Sequence, residues 1–500
     1  MFFDNIIKLK KNIFILLSLF LLSRLFYYKF LNIEFDSWTI DQHLQYFPKD
    51  LLKNDLINSL IYNHNQAPFL NLMLGLMMKI TNEYVIFIQL IYLIFGFLSF
   101  VFIYLICREF NFKEKISLII TITLMIFPTT ILYENHLYKE HLTFFFLVYL
   151  FYCTIKLNRN YDSFNYVFFI SLSLSLLCIT RETFHIFWGY LFIFLIRKNF
   201  TLKNKIYLIF IFTIIVSPFY IKNLILFNKF GLSVAGIYEH LSQKVDYVKE
   251  MKDPKRHVSI RNYTFGTYEN YQRFKKRGSI LYDIPLNLSA HKYQKILNHK
   301  NKSDNKLLNS NTIFNEVYFE VEKHRKKDFF LIFKEHPSLF FLNISNSLLR
   351  HLFFSSDYFS FTKPNAEKMK PLIKLSDCIK LTPICIYEFN FKKKISSIGK
   401  NSYYSVDTGF LSYYEKIIYS FQHTNFLLVI IYISLLIYLT KNIFFLKKLD
   451  IIDFWLLTFG YIFAVLIVFE DGEISRHRFP IDYLSFLIFL KISNFRFLKK

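Results

Sequence analysis

The stretch YVIFIQLIYLIFGFLSFVFIYLI, at residues 84–106, decides the fold, because it contains no charged side chain over its whole length. A helix of roughly 20 apolar residues is what crosses the hydrocarbon core of a bilayer, which is about 30 Å thick. Similar runs recur along the chain, and 63 Phe and 35 Tyr among 500 residues exceed what a soluble domain carries. The sequence therefore predicts a protein that crosses a membrane many times.

Ten apolar segments are the candidate membrane spans. They are predicted at residues 12–31, 84–106, 116–133, 141–155, 164–180, 184–196, 206–226, 418–440, 451–469 and 480–495. The first resembles a signal peptide, but it is too long and no small-residue cleavage site follows it, so we expect a retained anchor. The predicted fold class is an all-α polytopic membrane bundle of about ten transmembrane helices, with a mixed extracytoplasmic insert.

Along the chain, short loops rich in Lys and Arg alternate with short loops that contain few of them. They are abundant near residues 8–11, 108–115, 156–159, 197–205, 441–448 and 491–500, and scarcer in the intervening short loops. Short loops rich in Lys and Arg stay in the cytoplasm. Both termini are therefore predicted to be cytoplasmic, and residues 32–83 and 227–417 to lie outside.

Three regions follow from this topology: an N-terminal transmembrane module at 1–226 with catalytic outer loops, an extracytoplasmic region at 227–417, and a C-terminal transmembrane module at 418–500. Within the middle region, PSLFFLNISNSLLRHLFF at 337–354 has apolar residues at helical spacing. We expect this helix to lie along the membrane interface or against the bundle. A full span here would reverse the orientation of every later loop.

The net charge of +24 does not indicate a nucleic-acid-binding protein. Lys and Arg cluster at helix ends and in one loop, as in proteins that face anionic lipid. The five cysteines show neither zinc-finger nor thioredoxin spacing, so no redox chemistry is predicted.

The first polar cluster follows the first span, in FDSWTIDQHLQ at 35–45 and NHNQAPFLNLMLGL at 63–76. Asp36 and Asp41 lie there at the membrane–water boundary. A carboxylate partly buried beneath a lipid substrate has a raised pKa and can accept a proton from an incoming hydroxyl. The alternative is a pair of solvated loop acids. Residues 69–80 are predicted to form an amphipathic helix on the bilayer surface.

Two further clusters lie between later spans. YENHLYKE at 133–140 contains Glu134 and Glu140, which either serve the reaction or cap two helix ends. TRETFH at 180–185 contains Arg181, and an ionisable residue at membrane depth is usually functional or paired with an opposite charge. The histidines near 136–141 lack the supporting cluster that a metal site needs.

The fourth cluster is EDGEISRHR at 470–478, between the last two predicted spans. Arg476 and Arg478 carry guanidinium groups, which suit phosphate oxygens through paired hydrogen bonds. The alternative is that both arginines pair with the acids at 470–473. Lys222, at the outer end of the 206–226 span, is a further candidate for the same site. Arg24 lies inside the first span and either snorkels outward or faces the bundle interior.

Five pieces together resemble bacterial members of the GT-C superfamily, integral membrane glycosyltransferases related to protein O-mannosyltransferases and the aminoarabinose transferase of lipid A. In order, they are FDSWTID, HNQAPFLNLMLGL, YENHLYKE, SPFYIKNLILFNKFGLS and EDGEISRHRFPID. They cover both membrane portions, while residues 240–400 resemble nothing we can name. This chain has Asp36–Ser37 where the family often has paired acids, and Ala67–Pro68 where it usually has Pro-Pro.

The resemblance implies a sugar donor carried on a polyprenyl phosphate and transfer at the outer face of the bacterial cytoplasmic membrane. It implies Asp36 as the catalytic base, with Asp41 as the next match. Glu134 or Glu140 would orient the acceptor or assist the base. The remaining candidates would bind substrate: His64, Gln66, Arg181, Lys222, Arg476 and Arg478. Among them, Arg476, Arg478 and Lys222 would bind the phosphate.

The hypothesis is an inverting transfer to a hydroxyl of a glycan, lipid or protein acceptor. The rival functions are a membrane polysaccharide polymerase or ligase, a transporter or lipid flippase, and a scaffold without catalysis. A transporter favours inverted repeats with broken helices at the midplane, and the sequence shows neither. No cofactor is assigned, and the participation of a divalent metal stays open, as do the sugar, the acceptor and the oligomeric state.

Overall fold

The computed structural model of the chain describes residues 2–37, 49–63, 66–159, 164–196, 201–232, 337–352, 363–379, 425–446, 450–469 and 474–493, with isolated positions at 40, 47, 241, 326, 329–330 and 333–334. Within these ranges the chain is mostly helical and contains no strand, which is consistent with the predicted all-α membrane protein. A single isolated bridge pairs the backbones of residues 36 and 136.

The helices are numbered in chain order. They are α1 Phe2–Lys29, α2 Lys49–Asn54, α3 Leu56–Tyr62, α4 Phe69–Ile80, α5 Tyr84–Glu109, α6 Glu114–Met125, α7 Pro128–Glu134, α8 Lys139–Arg159, α9 Phe164–Thr180, α10 Ile186–Leu195, α11 Leu202–Phe227, α12 Pro337–His351, α13 Lys363–Ile379, α14 Phe426–Lys441, α15 Ile451–Phe469 and α16 Ile474–Ile492. A π-helical turn, Asn442–Leu446, continues α14.

Five helices are long and apolar enough to cross a membrane: α5, α8, α11, α14 with its continuation, and α15. The count rises to six when α6 and α7, which bend by 58° at a short break, are taken as one span. Each of the ten predicted spans overlaps a helix, but the described residues do not confirm ten crossings. Helices α9 and α10, with 17 and 10 residues, are shorter than the roughly 20 residues of a full span.

The break between α6 and α7 has a local cause. Phe127 precedes a proline and adopts extended backbone angles, and Pro128 then starts α7. The carbonyl groups that α6 leaves open at its end find side-chain donors. Tyr27 Oη donates to the carbonyl of Ile126 at 2.9 Å, and Arg24 Nη1 donates to that of Met125 at 3.0 Å. The broken span is thereby joined to α1 without unpaired backbone carbonyls at these positions.

Helix α8 lies at the centre of the bundle and packs against α5, α9 and α16. It is the most buried of the five candidate spans, while α11 and α14 are the least buried. Large apolar side chains on those two outer helices face away from the protein; Ile225 is 74% exposed and Leu436 63%. Such surfaces suit a lipid environment and not water.

The two predicted amphipathic segments are both helical. Helix α4 matches the predicted 69–80 segment, burying Leu70 and Leu74 while Ile80 stays exposed. Helix α12 covers most of 337–354 and packs against α15 and α16, the second of the two expected placements. Helix α13, which the sequence analysis did not anticipate, packs against α7.

Candidate functional site

Asp36 meets the YENHLYKE segment directly, although 100 residues separate them. Its backbone N–H donates to the carbonyl of Asn135 at 2.7 Å, and the N–H of Leu137 donates to the carbonyl of Asp36 at 3.0 Å. The side chains also meet, with 3.1 Å between Asp36 Oδ2 and His136 Nδ1. Both side chains are buried. The first polar cluster is thus fixed to the second by backbone and side-chain contacts.

A stack of side chains continues from this pair. The His136 ring stacks on that of Tyr138, with centroids 5.6 Å apart and planes 23° apart. The guanidinium of Arg476 lies over the Tyr138 ring, 4.5 Å from its centroid. A cation over an aromatic face is attracted by the ring quadrupole, and more strongly where water is excluded. The stack links the predicted base to the fourth polar cluster.

Glu140 is shared by two arginines. Its Oε1 accepts from Arg181 Nη2 at 3.1 Å and lies 3.6 Å from Arg476 Nε. All three side chains are buried. Glu140 occupies the first turn of α8, where the helix dipole favours an anion. Its second oxygen, Oε2, is buried and has no hydrogen-bond partner among the residues that the structure describes.

Lys139, the neighbour of Glu140, contacts the HNQAPF segment and the TRETFH segment. Its Nζ donates to Gln66 Oε1 at 2.8 Å and lies 3.4 Å from both carboxylate oxygens of Glu182. The backbone N–H of Ala67 donates to Glu182 Oε1 at 2.6 Å. Burial alone would raise the pKa of Glu182, but the Lys139 ammonium and these backbone donors hold that pKa below its ordinary value.

Five charged side chains of this cluster are in contact within the described part of the chain. Lys139, Arg181 and Arg476 are the cations, and Glu140 and Glu182 are the carboxylates. The alternative partners of the arginines, the acids at 470–473, lie outside the described residues.

Lys222 reaches the other end of the segment that contains Gln66. Its Nζ donates to the carbonyl of Asn63 and, at 2.8 Å, to Asn223 Oδ1. Asn63 Nδ2 in turn donates to the backbone carbonyl of Gln66 at 2.7 Å. Lys222 on α11 therefore contacts Asn63, and Lys139 at the start of α8 contacts Gln66.

The described contacts of Arg476 and Arg478 go to different partners. Both belong to the first turns of α16, and residues two apart on a helix do not face each other. Arg478 Nε donates to Asp482 Oδ1 at 2.8 Å, and Arg478 Nη1 donates to the carbonyl of His351 at the end of α12. The joint binding of phosphate by the two arginines stays a prediction. Arg476 joins Glu140, and Arg478 holds α12 against α16.

Glu134 is engaged by Arg24, which faces the bundle interior. The two side chains form a paired contact of 2.7 and 2.6 Å, and both are buried. Arg24 also lies over the ring of Phe20, 3.9 Å from its centroid. Both oxygens of Glu134 therefore already have a cationic partner.

Two predicted site residues, Asp41 and His64, lie outside the described residues. The residues that the sequence reasoning did not select are His136, Tyr138, Lys139 and Glu182. YENHLYKE and TRETFH are both dense in polar residues, which indicated a site. No local feature of the sequence indicated which of these side chains would face it. Within the described ranges, no group of three or more His, Cys, Asp or Glu side chains is placed to hold a metal ion.

Comparison with known proteins adds no relative to this geometry: no protein-family model, curated protein or solved structure matches the chain.

Proposed function

We propose that the protein is a membrane glycosyltransferase of the GT-C type, which moves a sugar from a polyprenyl-phosphate donor to a hydroxyl acceptor on the outer face of a bacterial cytoplasmic membrane. One observation carries the proposal. Four polar clusters, at 35–45, 133–140, 180–185 and 470–478, contribute side chains that meet around residues 136–140. Scattered loop charges or helix caps do not require such convergence.

The chemistry needs a base and a stabilised leaving group. The acceptor hydroxyl gives its proton to the carboxylate of Asp36, and its oxygen forms a bond to the anomeric carbon. The bond from that carbon to the phosphate oxygen breaks, and the electron pair leaves with the polyprenyl phosphate. Arg476, Arg181 and Lys139 supply positive charge where the negative charge develops.

The described charges suit a donor of this kind. A polyprenyl phosphate is an anion attached to a lipid chain, and the buried cations Arg181 and Arg476 meet at Glu140 within a bundle whose outer helices expose apolar surface. Glu140 retains one buried oxygen without a described partner, which suits a sugar hydroxyl as donor. Because Glu134 is engaged by Arg24, we favour Glu140 as the carboxylate that orients substrate.

The remaining features follow from the predicted topology. Both termini lie in the cytoplasm, the insert at 227–417 selects the acceptor, and no metal is required by the steps above, although one is compatible with them.

The test uses the purified full-length protein in lipid nanodiscs. It is incubated with undecaprenyl-phosphate-linked glucose, galactose, mannose and aminoarabinose, and consumption of each donor is followed. We expect the wild type to consume one of them and Asp36→Asn to be inactive while remaining folded. The matched control is Glu34→Gln, because Glu34 lies two residues away with its side chain 84% exposed; it should retain wild-type activity.

Full activity in Asp36→Asn overturns the role of Asp36. Consumption of lipid-linked oligosaccharides but of no single-sugar donor would instead indicate the polymerase or ligase. Movement of donor across the membrane without its consumption would indicate the flippase.

A further inference from the structure

The contact between Asp36 and His136 has a defined direction. An ionised carboxylate only accepts hydrogen bonds, so Nδ1 of His136 must carry the proton that lies between them. His136 is therefore a donor that holds one oxygen of Asp36 in place.

His136 is itself held on two sides. Its backbone lies in the bridge with Asp36, so the two residues cannot move independently. Its ring stacks on Tyr138, whose backbone carbonyl accepts a hydrogen bond from Tyr92 Oη at 2.7 Å. A buried ring fixed by a backbone bridge and a stacked neighbour keeps one orientation, and this is what a group that orients a catalytic residue needs.

We propose that His136 is a positioning residue that aims the carboxylate of Asp36 at the acceptor hydroxyl. The inference rests on the proposed glycosyl transfer and deepens it. Holding Oδ2 from Nδ1 sets the plane of the carboxylate and thereby the direction of Oδ1, which takes the acceptor proton. His136 keeps its own proton throughout the step. The proton lost by the acceptor ends on Asp36, and the electron pair of the broken bond ends on the phosphate.

The same contacts connect the base with the cation proposed for the leaving group. An inverting displacement requires the attacking oxygen and the leaving oxygen on opposite sides of the anomeric carbon. Asp36 contacts His136, the His136 ring stacks on Tyr138, and the Arg476 guanidinium lies over Tyr138. A shift of His136 therefore changes the aim of the base and its distance from the cation together.

Three variants of His136 test the inference in the nanodisc assay. In Asn, the side-chain amide nitrogen is as many bonds from Cα as Nδ1 is in His, whereas Gln places its nitrogen at the position of Nε2. We expect His136→Asn to keep kcat within about 10-fold of wild type. His136→Gln and His136→Ala should lose roughly 100-fold in kcat, the cost of a misaimed catalytic group. The KM for the donor and the unfolding temperature should be alike in the Asn and Gln variants.

The outcomes separate the two claims. Equal loss of kcat in the Asn and Gln variants, or wild-type kcat in the Ala variant, overturns the positioning role while leaving the transfer reaction intact. A raised donor KM with unchanged kcat also overturns it, because that result describes substrate binding. Failure of the wild type to consume any donor overturns the proposed function, and this inference with it.

Discussion

Arg24 on α1 and Glu134 at the end of α7 form a two-pronged ion pair, with Nε–Oε1 at 2.7 Å and Nη2–Oε2 at 2.6 Å. Their side chains are 4% and 0% exposed. The pair joins the first helix to the broken α6–α7 span, beside the carbonyl of Met125 that Arg24 also binds. The pair thereby anchors the segment that carries His136 and Glu140 to α1.

Breaking this ion pair should lower the free energy of unfolding. Arg24→Met leaves the Glu134 carboxylate buried without its partner, which costs about 3–5 kcal/mol in pairs of this kind. The measurement is unfolding in nanodiscs, followed by tryptophan fluorescence. The double variant Arg24→Met with Glu134→Leu removes both charges and should recover most of the loss. A double variant less stable than Arg24→Met would contradict this account.

Gly96 on α5 gives a steric test of the same region. A Cβ added at Gly96 would collide with Glu134 Oε2 and lie 3.4 Å from Cε1 of His141. Gly96→Ala should therefore destabilise the fold by about 1–3 kcal/mol, as overpacking does. Gly460 on α15 is the matched control, since an added Cβ there meets no described atom within 4 Å. Gly460→Ala should be neutral or gain about 0.5–1 kcal/mol. Equal effects of the two changes would contradict the close contact.

The helices were predictable because their signal is local. An apolar run such as residues 84–106 is unfavourable in water and can be recognised without knowing which residues it packs against. Helix α5 covers this run completely. The number of crossings was less predictable. Pro128 divides one run into two bent helices, and the described parts of α9 and α10, with 17 and 10 residues, are shorter than the roughly 20 residues of a full span. A window of hydropathy does not register either effect.

The site was predictable only in part, because pairing is set by the fold and not by the sequence nearby. The clusters that contain Asp36, Glu140 and Arg476 were found, and they meet. Nothing adjacent to Glu134 indicated that Arg24, 110 positions away, would occupy both of its oxygens. The different partners of Arg476 and Arg478 could be anticipated only by knowing that ISRHR begins a helix, where residues two apart do not face each other.

Acidification should lower the stability of the fold through Glu182, which lies in the same loop as Arg181. The pKa of Glu182 is held below its ordinary value, so its charged form stabilises the fold at neutral pH. That contribution is present above the carboxyl pKa of the unfolded chain and is lost as pH falls through the lower pKa of the folded state. The effect is modest, because the side chain is 31% exposed and solvent screens its contact with Lys139.

Unfolding temperatures measured from pH 7 to pH 3 test the point. Glu182→Gln should lower stability at pH 7 and lose less stability than wild type on acidification. Parallel pH profiles for the two proteins would show that Glu182 contributes nothing through its charge.

Helix α13 should be needed for activity through one asparagine. Asn365 Nδ2 donates to the carbonyl of Glu34 at 2.8 Å, and the N–H of Glu34 donates to Asn365 Oδ1 at 3.1 Å. These two bonds hold the backbone two residues before Asp36. Asn365→Ala should lower kcat by about 10–100-fold through loss of alignment, with little change in donor KM. Lys370→Ala, on an exposed position of α13, is the control and should match wild type. Unchanged kcat in Asn365→Ala would mean that α13 does not position the base.

The two arginines of α16 should fail in different ways when each is changed to Lys. Lys keeps the charge but cannot reproduce a planar guanidinium. At position 476 the change removes the stacked contact over Tyr138 and weakens the contact with Glu140, so turnover should fall by about 10²–10³-fold, as when one preorganised donor is lost from a catalytic site. The unfolding temperature should change little, because Arg181 still neutralises Glu140.

At position 478 the change acts on packing. Arg478 bridges Asp482 on its own helix and the last carbonyl of α12, so one side chain fastens α12 to the bundle. In Arg478→Lys one ammonium nitrogen must serve both acceptors, which the guanidinium reaches from two separate nitrogens, so both contacts should weaken. The unfolding temperature should therefore drop while kcat of the folded fraction stays near wild type. If instead both variants lose turnover equally at unchanged stability, the two arginines act together on the phosphate, and the division of roles drawn from their separate partners is wrong.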